Sequence, residues 1–131
     1  MLTLCILPSN TSCRRATHWL INNNVPFVTR NMMSQPLTEK EFRHLLSLTY
    51  NGVDDLISLQ SKAYRHLCKT RPIENMSLNE AIKVMQNTPQ LLRRPIIFND
   101  DCFVCGFNKE EIRVFIPRYQ RFLERQDQKL S

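Results

Sequence analysis

Glycine is scarce in this sequence, with two residues in 131. A phosphate-binding loop of the P-loop or dinucleotide-binding kind needs several closely spaced glycines, because only glycine lets the backbone approach the phosphates. Gly52 and Gly106 are too far apart to build either loop. The sequence therefore argues against nucleotide chemistry, and we expect no cofactor.

Long apolar runs are also missing. No run approaches the ~18 residues that a membrane helix needs, and the N-terminus has no signal-peptide pattern. The cysteines are odd in number and irregularly spaced, which argues against a disulfide framework; they are Cys5, Cys13, Cys68, Cys102 and Cys105. We therefore expect a cytoplasmic protein with free thiols and no membrane partner.

Size and charge set broad limits. A chain of 131 residues with 42% hydrophobic content is enough for one domain with its own core, so we expect a single domain over 1–131. Eighteen basic and twelve acidic residues give a net charge of +6, spread along the chain. Such a surface suits an acidic protein, a nucleic acid backbone or simply solubility, and charge alone does not choose among them.

A strand-to-helix turn at residues 8–15 is the stretch most suggestive of chemistry. It lies between an apolar run and an amphipathic segment, and Thr11 or Ser12 is predicted to cap the helix. Cys13 is then close to the positive end of the helix dipole and is followed by two arginines, so its pKa is predicted to be lowered. Asn10 stands where a C-x-x-C motif would have its other thiol.

The first part of the chain predicts a β-α-β unit. Residues 2–7 read as a buried strand, 16–21 as the inner part of an amphipathic helix and 26–30 as a second strand. The helical crossover makes the two strands parallel.

The middle of the chain is predicted to be helical from 37 to 85. Thr38 with Glu41 and Ser77 with Glu80 form two capping boxes, each before an apolar run. Nothing in this segment predicts a strand.

A hairpin and a last helix follow. Residues 91–98 predict the third strand, 99–101 a turn and 102–107 the returning strand, and Asn108 with Glu111 predicts a capped helix. This order of elements is that of a thioredoxin-like α/β fold with a four-stranded mixed sheet. In such folds the X-Pro bond before the third strand is usually cis, which predicts that Arg94 and Pro95 lie beside Cys13.

The predicted domain has three parts. Its β/α core comprises 1–35 and 92–117, a helical insert occupies 36–91, and 118–131 form a basic C-terminal tail.

The chain resembles Spx-type regulators, a branch of the arsenate-reductase-like thioredoxin superfamily. The resemblance is carried, in order, by Thr11-Ser12-Cys13-Arg14 with Ala16, Pro26-Phe27-Val28, Arg30-Asn31, Asn51-Gly52, Ser61-Lys62, Leu91-Leu92-Arg93-Arg94-Pro95-Ile96-Ile97, and Glu111-Ile112-Arg113 with Phe115-Ile116-Pro117-Arg118. The ordered set covers nearly the whole chain.

The resemblance implies a non-enzymatic monomer that binds the C-terminal domain of the RNA polymerase α subunit. The contact surface would include Gly52 and Asn51, with Lys62 beside them. The protein would redirect transcription in stress or developmental responses and reach promoter DNA only through the polymerase. An ATP-dependent protease with its adaptor is a further implied partner.

Asn10 departs from the family pattern. Redox-sensing members have a cysteine there that pairs with the one matching Cys13, and arsenate reductases have their nucleophile there. An amide can do neither. The protein is then either insensitive to redox conditions or responds through a mixed disulfide on Cys13 alone.

A thiol enzyme or redox sensor, arsenate-reductase-like, is the alternative. It would use Cys13 or the Cys102/Cys105 pair. Residues three apart in a strand point to opposite faces, so a disulfide or metal site there needs a bulge, and His66 and Cys68 are the remote candidates for further ligands.

Overall fold

The computed structural model describes residues 1–116, and its centre is a four-stranded mixed sheet. The strands are β1 (Leu2–Ile6), β2 (Phe27–Asn31), β3 (Ile96–Phe98) and β4 (Phe103–Cys105), in the order β2-β1-β3-β4. β1 pairs with β2 in parallel, whereas β3 is antiparallel to both β1 and β4. The predicted mixed sheet and parallel β-α-β unit are confirmed.

Helix α1 (Thr11–Asn22) connects β1 to β2 and covers one face of the sheet. Ala16 and Leu20 are fully buried against Leu4 and Ile97. Because side chains alternate along a strand, this packing assigns Leu4 to the α1 face and its neighbour Cys5 to the opposite face.

The insert contains helices α2 (Glu39–Leu48), α3 (Lys62–Thr70) and α4 (Leu78–Asn87), joined by short 3-10 turns. Both predicted capping boxes are present, at the N-termini of α2 and α4. The prediction that this segment is helical is therefore confirmed.

The insert packs on the second face of the sheet. Phe42 and Leu45 of α2 and Met85 of α4 are fully buried in one cluster with Cys5 and Ile96. The domain is thus held by two apolar clusters, one on each face.

The C-terminal elements are shorter than predicted. β3 begins only at Ile96, because Leu92 is paired in an isolated bridge with Ile57 instead. The predicted last α-helix is a 3-10 helix, Glu111–Phe115, preceded by a turn in which the Asn108 side chain accepts the N–H groups of residues 110 and 111. The helix ends at Phe115, before Pro117, and Ile116 is extended, because the residue before a proline disfavours helical angles.

The predicted basic tail, 118–131, lies outside the described residues. Within residues 1–116, no helix is both long and apolar enough to cross a membrane.

Candidate functional site

The strand-to-helix turn is closed by Asn10. Its Oδ1 atom accepts the backbone N–H of Cys13 at 2.9 Å, so Asn10 is the N-cap of α1. The predicted caps, Thr11 and Ser12, are wrong, because both already lie in the first helical turn. Ser9 has a φ of 58°, which turns the chain sharply before the cap.

Cys13 is buried, with 4% of its surface exposed. Burial raises the pKa of its thiol, and this outweighs the lowering effects of a hydrogen bond from the Leu7 backbone and of the Arg94 and Arg14 charges. The prediction that the pKa of Cys13 is lowered is therefore wrong. Its helical spacing from Ala16 places Cys13 on the inner face of α1, where desolvation is the largest influence on its pKa.

The Arg94-Pro95 peptide bond is cis, as predicted. The Arg94 guanidinium donates to the carbonyl of Gln90 at 2.8 Å and also acts on the Cys13 thiol through its charge. Asn10, Arg94 and Lys62 line one groove with a volume of about 630 Å³. The structure thus brings three of the predicted site residues to one place.

Gly52 begins a 3-10 turn, Gly52–Asp55, at the tip of the loop after α2. Its φ is +67°, and among residues 1–116 no atom beyond its two chain neighbours lies within 4 Å of where a Cβ would be. The Asp55 carboxylate accepts the backbone N–H groups of Tyr50 and Asn51, each at 2.9 Å. Hydrogen bonds, the one from Asn51 foremost, lower the pKa of Asp55, which stays ionised and holds the loop in shape.

Arg93 joins this loop to the core. Its backbone N–H donates to the carbonyl of Leu56 at 2.8 Å, and its guanidinium donates to the carbonyls of Ile57 at 3.1 Å and Asp54 at 3.3 Å. Sequence reasoning treats such an arginine as an ordinary surface charge, and no local signal identifies its carbonyl partners.

Cys102 and Cys105 flank a second groove, with a volume of about 490 Å³, and both are free thiols. Cys105 is in β4, where burial raises its pKa to about 12. Cys102 immediately precedes the strand, and its carbonyl accepts the N–H of Asn99 at 3.0 Å. Three residue steps along an extended chain separate the Cα atoms of Cys102 and Cys105 by ~10 Å. A disulfide tolerates at most ~7 Å between Cα atoms, so this geometry does not allow these two cysteines to form one.

A metal site is not preformed in the described part of the chain. No group of three or more histidine, cysteine or acidic side chains within residues 1–116 is arranged to hold a metal ion.

Comparison with known proteins agrees with the fold. The ArsC family matches residues 6–115. A solved ArsC family related protein from Bacteroides fragilis has a TM-score of 0.77 at 22% identity, covering 87% of this chain and 96% of that one. An arsenate reductase from Vibrio cholerae has a TM-score of 0.68 at 16% identity, covering 87% and 93%. These structures share the fold.

Closer relatives in sequence are regulators. A Streptococcus pneumoniae protein named global transcriptional regulator Spx is 48% identical over 121 residues, covering 92% of this chain and 90% of that protein. The Bacillus subtilis protein of the same name is 41% identical over 132 residues, covering 100% and 99%. The chain therefore belongs to the ArsC family, and within it to the Spx-type transcriptional regulators.

Proposed function

We propose that this protein regulates transcription by binding the C-terminal domain of the RNA polymerase α subunit, with Gly52, Asn51 and Lys62 in the contact surface. It acts without catalysis and reaches promoter DNA only through the polymerase. The observation that carries the proposal is the open, left-handed Gly52 at a loop tip. A partner can approach its backbone there, and a side chain at this position would stand in the way.

The rigidity of the loop supports the proposal. Asp55 fixes the backbone before Gly52, and Arg93 fixes the carbonyls after it. A preordered loop loses little conformational entropy on binding. Tyr50, 97% exposed beside the glycine, offers a large side chain for contact.

The electrostatics suit an acidic partner. Lys62 and Arg65 are exposed on α3, and α3 contains no acidic residue. Lys62 also lines the groove that contains Arg93 and Arg94. Complementary charge of this kind speeds association and fixes orientation.

The strand-to-helix turn favours regulation over thiol catalysis. Asn10 has no nucleophilic group, and the Cys13 thiol is buried and held protonated. We therefore expect binding to the α domain to be independent of mild oxidation.

Calorimetry with the isolated α C-terminal domain, under reducing and mildly oxidising conditions, tests the proposal. We expect binding in both conditions and its loss in Gly52→Arg. Gly106→Ala introduces a comparable left-handed strain elsewhere, since Gly106 has a φ of +78° and equally open surroundings. Ile21→Arg adds the same side chain at an exposed site on α1.

Both control variants should bind like the unmodified chain, and Gly52→Arg should unfold in one cooperative transition. Absence of binding by the unmodified protein in either condition contradicts the proposal. Binding that survives Gly52→Arg removes Gly52 from the contact surface.

A further inference from the structure

The groove beside β4 is lined by both apolar and acidic side chains, and we call it the acidic groove. Its apolar lining comes from Leu48, Phe103, Val104 and Val114, and its carboxylates come from Asp55, Asp101 and Glu111. Val114 is 41% exposed although it is aliphatic. With a volume of about 490 Å³, the groove has room for several side chains.

The acidity is concentrated in a protein that is otherwise basic. Of the twelve acidic residues, six occur as the three adjacent pairs 54–55, 100–101 and 110–111, and one member of each pair lines the groove. Arg93 also lines it and keeps its positive charge, which helps to lower the pKa of Asp55, so three carboxylates and one guanidinium give the lining a formal charge of −2. The ion pairs found within residues 1–116 include neither Asp101 nor Glu111.

The rest of the chain has the complementary composition. Residues 117–131 contain four basic residues, Arg118, Arg121, Arg125 and Lys129, and two acidic ones. They also contain three apolar or aromatic side chains close together, Tyr119, Phe122 and Leu123. A net charge of +2 next to an apolar triplet complements a groove whose lining is apolar and acidic.

Chain connectivity favours this segment over a separate molecule. The described chain ends at Ile116, which is 1% exposed and so fixes the point where the segment starts. Val114, two residues earlier, already lines the groove. Fifteen residues extend to ~50 Å at most, so reach is ample, and tethering raises the local concentration without any further contact.

We propose that residues 117–131 dock into the acidic groove of their own chain. The arginines of the segment pair with the exposed Asp101 and Glu111, and its apolar side chains cover Phe103 and Val114. Removal of this apolar surface from water supplies most of the stabilisation, while the rim charges set the orientation. The proposal does not depend on binding to the polymerase.

Cys102 provides a native reporter, because it is a half-buried free cysteine among the residues that line the groove. We would substitute Gln120→Cys in the full chain, oxidise mildly and map disulfides by peptide mass spectrometry. Cys68, exposed on α3, is the internal competitor. We expect the introduced thiol to pair with Cys102 of the same chain in preference to Cys68.

Charge reversal then tests the recognition. Arg118→Glu with Arg121→Glu should reduce the yield of the Cys102 disulfide at least about threefold, since each exposed pair contributes modestly. Adding Asp101→Lys and Glu111→Lys should restore it. Thermal unfolding of each variant verifies that the fold is intact.

Three results overturn the proposal. They are equal or greater pairing with Cys68, a yield that charge reversal leaves unchanged, and disulfides that link two chains. The last would show that a second copy fills the groove.

Discussion

The side-chain oxygen of Asn10 accepts the backbone N–H of Cys13 at 2.9 Å. The same two positions would form the disulfide of a C-x-x-C motif if both were cysteines. Here the first residue is joined to the second through a helix cap instead. Asn10 therefore has a structural role as the helix cap, in addition to occupying the position where the motif would have a cysteine.

Replacing Asn10 tests that role. Asn10→Ala removes the cap and should lower the free energy of unfolding by about 1 kcal/mol, the usual cost of losing an N-cap. Asn10→Asp keeps an acceptor at the positive end of the helix and should unfold like the parent. Urea denaturation followed by circular dichroism measures both, and an alanine variant as stable as the parent would disprove the capping role.

The thiols should differ in their reactivity. Cys13 is buried with a raised pKa, whereas Cys68 is exposed on α3. With iodoacetamide at pH 8, Cys68 should be alkylated first and Cys13 only after unfolding, because reaction requires both access and the thiolate. A time course of peptide masses follows each site. Early modification of Cys13 would revive the mixed-disulfide hypothesis.

Glu41 should govern part of the stability at acid pH. It is partly desolvated, which raises its pKa, but hydrogen bonds from Thr38 and from Arg30, the latter at 2.5 Å, lower the pKa on balance. Its contribution is therefore present above the unfolded value of 4.5 and lost as the pH falls through the folded value.

Glu41→Gln should accordingly destabilise the protein by ~1 kcal/mol at pH 7 and flatten the loss of stability below about pH 4.5. Glu39→Gln, at an exposed pair with Arg43 in the same helical turn, is the matched control. Denaturant unfolding between pH 3 and 7 gives both curves. Parallel curves for the parent and Glu41→Gln would refute this assignment.

The insert should be essential to the core. Phe42 is fully buried on the second face of the sheet, so Phe42→Ala should cost about 3–5 kcal/mol. Leu59→Ala, at a residue 48% exposed, should change stability by less than about 0.5 kcal/mol. Equilibrium unfolding compares them, and similar small effects would mean that the insert is not part of the cooperative core.

Local signals in the sequence predicted much of the fold. The capping boxes at Thr38 and Ser77 and the β-α-β pattern depend on neighbours a few residues apart, and all were confirmed. The cap of α1 was misplaced because Asn10, Thr11 and Ser12 are all good capping residues. Only the φ of Ser9 and the start of the helix distinguish them.

The features that the sequence did not predict depend on residues that are far apart along the chain. The pKa of Cys13 follows from how deeply α1 packs on the sheet, which outweighs the arginines beside it in sequence. The partners of Arg93 lie 36 and 39 residues away, so no spacing rule identifies them. The acidic groove likewise gathers one carboxylate from each of three separate segments.

Arg93 has a consequence for how sequences of this architecture can vary in length. Hydrogen bonds from Arg93 tie the Gly52 turn to the segment preceding β3, although two helices lie between them in sequence. The N–H of Ser58 adds a 2.7 Å bond to the carbonyl of Leu91. We therefore expect insertions between α3 and α4 to lengthen a loop that these bonds close at its base, while the glycine keeps its position relative to the sheet.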